Sequence, residues 1–95
     1  MANGIAYSIE GTSWPFGTRK EALKEAKGVW KMYVTEYGSV NPLIGIYANR
    51  RKIGFVSKGI DGKFYFFNNE RGKEGTYPIK TDGTLGTKVK NVKFI

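Results

Sequence analysis

The sequence predicts an α+β fold in which one long helix packs on a mainly antiparallel sheet of five or six strands, in the order β-α-β-β-β-β-β. One stretch near the N-terminus has the apolar period of a helix, and the segments on either side of it have the two-residue period of strands. The connections between the later strands are too short for parallel crossovers. The chain has 95 residues, which is enough for one domain, and we expect residues 1–95 to form it.

The helix is predicted over residues 19–37, after a first strand over residues 5–9. Thr18 and Glu21 have the spacing of a capping box, and Gly38 can adopt the left-handed conformation that ends a helix. The residues predicted to face the sheet form one apolar stripe: Ala22, Leu23, Ala26, Val29, Trp30, Tyr33, Val34 and Tyr37.

The later strands alternate in polarity and are separated by Gly, Asn and Asp turns. They are predicted over residues 43–48, 52–57, 63–68, 76–81 and 87–94. Alternation places Phe64 and Phe66 on one face of the sheet and Tyr65 and Phe67 on the other. One helix covers only one face, so the second pair is either exposed, covered by the loop around Trp14, or covered by a second copy in a homodimer. Trp14 itself is equally suited to anchoring the fold or a partner.

Positive charge is concentrated in the strand-rich half of the chain. Residues 50–95 carry eleven Lys and Arg against four acids, whereas residues 1–49 carry five against four. A basic sheet rich in aromatic residues is typical of surfaces that bind polyanions. We therefore predict a non-catalytic nucleic-acid-binding domain, for DNA or RNA, in which cations hold phosphates and rings stack on bases. The candidate binding residues are Arg50, Arg51, Lys52, Lys63, Tyr65, Phe67, Lys88 and Lys90.

These candidates also have plainer explanations. Three consecutive cations at residues 50–52 suit a solvated turn, and lysines on the last strand suit an edge protected against aggregation. The alternative function is a small protein–protein interaction module, such as an accessory or inhibitor protein of a phage or other mobile element. In that case the same cations would steer the domain to an acidic partner protein, and the rings would anchor the interface.

The composition argues against catalysis. The chain has no His and no Cys, which removes the commonest nucleophiles, proton shuttles and metal ligands, and both Asp residues precede Gly in turns. We expect no enzyme activity, no cofactor and no metal site. The absence of Cys fits a reducing cytoplasm, and no apolar run approaches the roughly 18 residues of a membrane span. We therefore expect a cytoplasmic protein that does not bind membranes.

Overall fold

The structure, a computed structural model, describes residues 4–12 and 14–94. Five strands form a single antiparallel sheet with the spatial order β1-β2-β3-β4-β5, and one helix packs on it. This arrangement confirms the predicted α+β fold class. The elements are β1 (Tyr7–Ile9), α1 (Arg19–Tyr37), β2 (Ile44–Ala48), β3 (Arg51–Lys58), β4 (Phe64–Asn68) and β5 (Gly75–Pro78).

The helix begins and ends where its capping residues predict. The Glu21 N–H donates to Thr18 Oγ1 over 3.2 Å, and the Thr18 hydroxyl donates back to the Glu21 carboxylate over 3.0 Å. Gly38 has a φ of 67° and donates its N–H to the carbonyl of Tyr33. Tyr37, predicted to face the sheet, is instead 71% exposed at the last residue of the helix, where its ring meets Tyr33 edge-to-face. The fully buried part of the stripe is Ala22, Leu23, Ala26 and Val29.

The core lies between the helix and one face of the sheet. Phe66 is completely buried in it, and Phe64 packs against the same cluster. Trp30 of the helix meets Phe64 edge-to-face, with 5.3 Å between the ring centroids. The predicted pairing of Phe64 with Phe66 on one face is therefore confirmed, and this face is the one beneath the helix.

The prediction of a last strand over residues 87–94 is wrong. The segment is extended but makes only isolated bridges, from Val89 to Thr76 on β5 and from Phe94 to Gly59 after β3. It crosses several strands instead of running beside one, and Asn91, with a φ of 57°, interrupts its extended conformation. A ladder cannot form because successive residues meet different partner strands.

This C-terminal segment covers the second face of the sheet. The Phe94 ring lies 4.7 Å from the Phe67 ring and 5.9 Å from the Tyr65 ring, measured between centroids. Phe55 of β3 adds a further contact, 4.9 Å from Phe67. The chain's own C-terminal segment thus supplies a cover for Tyr65 and Phe67.

Candidate nucleic-acid interface

Cations gather at one end of the sheet, where β2 and β4 end and β3 and β5 begin. Ala48 pairs with Arg51, and Asn68 pairs with Gly75, so the connection at residues 49–50 and the loop at residues 69–74 lie at the same end. The Asn69 N–H donates to the carbonyl of Ile53, which ties this loop to the start of β3. We call this surface the basic end. Its cations are Arg19, Arg50, Arg51, Lys52, Arg71, Lys73 and Lys88.

All four arginines of the chain lie at the basic end, although the chain has twelve lysines and only four arginines. Arg19, the first residue of α1, reaches the end through its guanidinium, which is 3.7 Å from the Glu70 carboxylate. Arg50 lies in the connection between β2 and β3, Arg51 is the first residue of β3, and Arg71 lies in the loop between β4 and β5. Arginine binds phosphate through a rigid fork of N–H donors, whereas lysine offers a single point charge. The grouping of the arginines therefore indicates an anion-binding surface more specifically than a high number of lysines would.

A cavity of about 360 Å³ lies between the start of β3 and the loop at residues 69–74. Its lining contains four cations, Arg51, Lys52, Arg71 and Lys73, and one carboxylate, Glu70. The carboxylate is paired with Arg19, which lies outside the lining. Positive charge is therefore in excess inside a concave site, an arrangement suited to an anion of phosphate size.

The hairpin between β2 and β3 has an unusual backbone. Asn49 and Arg50 both have positive φ, 49° and 70°, which is the conformation of a type I′ turn. Gly is the preferred second residue of this turn, and a side chain there costs roughly 1–2 kcal/mol. Arg50 is held in this strained conformation at the tip of the basic end, as is common for residues retained for binding.

Replacing Arg50 with Gly should therefore stabilise the fold while removing a candidate binding residue. We expect the free energy of unfolding of R50G to rise by about 0.5–1 kcal/mol, since Gly adopts positive φ without a steric penalty. Urea denaturation measures this change. R50A retains the strain and is the matched control, expected to be no more stable than the wild type. Equal stability of R50G and R50A would contradict the strain argument.

Trp14 lies beside the same hairpin and was not among the candidate residues. Its side chain is 53% exposed, and it lines a cleft of about 550 Å³ together with Pro15, Asn49 and Arg50. Phe16 pairs with Tyr7 of β1, which fixes the loop at the edge of the sheet. The signal in the sequence was a large ring next to a proline in a loop, but only the fold shows that the ring lies beside Arg50.

Two of the candidate lysines lie away from the basic end. Arg51 and Lys58 begin and end the eight-residue strand β3, about 23 Å apart at the usual rise of a strand. Lys63 follows the turn after Lys58, and Lys90 lines a different cavity of about 390 Å³ with Asp61. The expectation that Lys63 and Lys90 share one binding surface with Arg50 and Arg51 is therefore corrected, because neither lysine lines a cavity of the basic end.

The two candidate stacking rings are not freely accessible. Tyr65 is only 5% exposed, and its hydroxyl donates to Asp61 Oδ2 over 2.5 Å. This hydrogen bond lowers the pKa of Asp61 below its usual value and raises the pKa of Tyr65. Phe67 is half-buried beneath Phe94. The expectation that Tyr65 offers a ring face to a base is corrected, since the C-terminal segment occupies that face.

The other two candidate lysines, Lys52 and Lys88, lie at the basic end beside the second face of the sheet. The Lys52 ammonium is 5.5 Å from the centroid of the Phe55 ring, in cation–π geometry. The Lys88 side chain lies over Gly75, the first residue of β5. Of the eight candidate residues, the structure thus brings together Arg50, Arg51, Lys52 and Lys88, and it adds Arg71 and Lys73.

Within residues 4–12 and 14–94, no group of three or more acidic side chains is placed to hold a metal ion. The helix in the same part of the chain is too polar to span a membrane. No protein-family model, curated protein or solved structure matches this chain.

Proposed function

We propose that this chain is a non-catalytic nucleic-acid-binding domain whose basic end holds the sugar–phosphate backbone. The observation that carries the proposal is the gathering of all four arginines at one end of the sheet. Phosphate contacts supply most of the affinity of such domains, and arginine forks are the strongest of these contacts. A cytoplasmic location, where thiols stay reduced, suits a chain without cysteine and belongs to the same proposal.

The charge balance of the basic end supports this function. Among the described residues it has seven cations and two carboxylates, Glu70 and Glu74. Glu70 is paired with Arg19, and the Glu74 carboxylate accepts the N–H of Gly72 within its own loop. Neither carboxylate neutralises Arg50 or Arg51. A polyanion approaching this end would therefore meet unpaired cations from two neighbouring loops.

Fluorescence anisotropy with labelled DNA and RNA oligonucleotides, titrated over a range of NaCl concentrations, tests the proposal. The wild type should bind at low salt with a steep salt dependence. The triple variant R50Q/R51Q/R71Q should bind about 100-fold more weakly, because three charge-assisted contacts of about 1 kcal/mol each are lost. Its salt slope should fall by about two to three, close to one per lost phosphate contact.

K63Q/K90Q/K93Q is the matched control, since it removes the same charge away from the basic end. We expect its affinity to change by less than about threefold, because none of these three cations lines a cavity of the basic end. Equal losses in both triple variants would show that net charge alone drives binding. Failure of the wild type to bind any oligonucleotide at low salt would refute the proposal.

A second candidate function is the protein–protein interaction module, and one observation favours it. The end of the fold opposite the basic end carries exposed apolar side chains, with Val40 80% and Leu43 53% exposed. Val40 lines a cavity of about 300 Å³ with Trp30 and Lys58. An acidic partner with an apolar anchor would suit this surface, as an accessory or inhibitor protein of a mobile element would require. The absence of oligonucleotide binding in the anisotropy assay would leave this function as the better supported one.

A further inference from the structure

We infer that the cleft between Trp14 and Arg50 binds an unpaired nucleobase and its phosphate, so that the basic end prefers single-stranded nucleic acid. This inference rests on the proposed function and adds the class of target. The cleft has a volume of about 550 Å³ and is lined by a 53% exposed indole, an arginine at the hairpin tip, and the small polar residues Ser8 and Thr12. It therefore offers a stacking surface, a cation and hydroxyl groups in one concave site.

The two sides of the cleft are held in place by the edge of the sheet. On the Trp14 side, the N–H of Phe16 donates to the Tyr7 carbonyl over 2.7 Å, and the N–H of Tyr7 donates to the Phe16 carbonyl over 3.0 Å. Pro15, between the ring and this bridge, restricts the backbone further. The residue two positions after the indole is therefore tied to β1 in the free protein.

The Arg50 side is fixed by the residue before it. The Asn49 side-chain oxygen accepts the N–H of Ala6 over 2.9 Å, and the Asn49 N–H donates to the Ala6 carbonyl over 2.8 Å. Ala6 also lines the cleft, so the hairpin tip is tied to its wall. A site ordered in the free protein loses less conformational entropy on binding, which favours a specific ligand.

The combination of an indole and a guanidinium selects for unpaired bases. In a duplex the base faces are stacked on one another and are closed to a side chain, whereas in a single strand they can stack on a protein ring. Arg50 lies where it can pair with the phosphate of the stacked nucleotide. A neutral ring ligand would use the indole and leave the guanidinium without a partner, so the pair of residues points to an anionic aromatic ligand.

The hairpin tip also connects the Trp14 cleft with the 360 Å³ cavity, so that one nucleic-acid strand can occupy both. Arg50 lines the Trp14 cleft, and the next residue, Arg51, lines the 360 Å³ cavity with Arg71 on the other side of the same hairpin. A nucleic-acid strand with one base stacked on Trp14 can cross the hairpin tip and place a neighbouring phosphate in this cavity. The two cavities then form one continuous site at the basic end.

Anisotropy with a labelled oligothymidylate of about 12 nucleotides and a mixed-sequence duplex of equal length, at about 50 mM NaCl, tests the inference. The wild type should bind the single strand at least about tenfold more tightly than the duplex. W14A should lose about tenfold on the single strand and less than about twofold on the duplex. W14F keeps a ring and should recover most of the loss. Thermal melting checks that each variant is folded, as expected for a half-exposed side chain.

The possible outcomes separate this inference from the proposed function. If the wild type binds neither oligonucleotide, the proposed function itself fails. If the wild type binds both and W14A changes neither affinity, or changes both equally, the proposed function stands and the assignment of Trp14 is overturned. Quenching of tryptophan fluorescence by the single strand gives an independent readout. Trp30 stays as the background signal in W14F, in which we expect the quenching to disappear.

Discussion

Replacing Gly54 with Ala should lower the free energy of unfolding by about 3 kcal/mol, near the upper end of the usual cost of overpacking a core. A Cβ at this position would lie 1.9 Å from the carbonyl oxygen of Phe67 and 2.8 Å from the ring of Phe66. Gly54 pairs with Asn68 in the register of β3 and β4, so the carbonyl cannot retreat without breaking this ladder. Phe66 is completely buried and has no space to move into.

The measurement is thermal or urea unfolding of G54A beside G28A. For a domain of this size, about 3 kcal/mol corresponds to a fall in Tm of at least about 12 °C. Gly28 lies on the exposed face of α1, and a Cβ there meets nothing within 4 Å. We expect G28A to be more stable than the wild type by about 1 kcal/mol, because Ala replaces Gly inside a helix. A G54A variant as stable as the wild type would show that β3 and β4 are not packed as closely as described.

The same close approach matters for the basic end. Lys52 and Arg51 come two and three residues before Gly54 on β3, and Arg71 follows the end of β4. The register in which Gly54 pairs with Asn68 therefore sets the distance across the 360 Å³ cavity. Only a residue without a side chain lets the two strands meet at this point. The shape of this cavity thus depends on a residue that does not line it.

The helix could be predicted from the sequence to the residue, because its limits are set by local interactions. The capping box joins Thr18 to Glu21, and the left-handed cap is a property of Gly38 itself. The strands between residues 44 and 78 were also predicted, with bounds within about three residues, since alternation and turn residues act over a few positions. The last segment, residues 87–94, alternates in the same way. Its path across several strands depends on contacts that are distant in sequence and leave no periodic signal.

The candidate site was predicted only in part, for a related reason. The sequence analysis assigned Lys63 and Arg51 to the same surface because both lie in the basic half of the chain. In a meander, however, consecutive turns lie at opposite ends of the sheet. Grouping alternate turns would have joined residues 49–50 to residues 69–74 and would have found Arg71 and Lys73. Grouping the turns would not have placed Trp14 at the basic end. Its loop lies beside the hairpin because β1 pairs with β2, and the sequence does not show this pairing.

The second large expected effect is a loss of stability when the C-terminal segment loses its aromatic ring. Replacing Phe94 with Ala should lower the free energy of unfolding by about 2 kcal/mol, roughly half the cost of removing a fully buried ring, because Phe94 is half-buried. The expected fall in Tm is about 8–16 °C. The loss has a specific cause: Phe94 contacts both Tyr65 and Phe67, and its removal uncovers the second face of the sheet.

K90Q/K93Q is the control for this prediction, since it changes the same segment but keeps the ring. Both lysines are exposed, and their replacement should alter stability by less than about 0.5 kcal/mol. If F94A melts at the temperature of the wild type, the segment does not seal the face. Such a result would make Tyr65 and Phe67 available to a ligand again.

The binding behaviour of F94A then tests whether Tyr65 and Phe67 could stack on bases in place of Trp14. With Trp14 and the basic end intact, F94A should bind single strands as the wild type does, at a temperature where both are folded. A clearly tighter complex would mean that Tyr65 and Phe67 take up bases once they are uncovered. In that case the stacking assigned to Trp14 would have to be shared with the sheet, and the C-terminal segment would act as a cover over part of the binding surface.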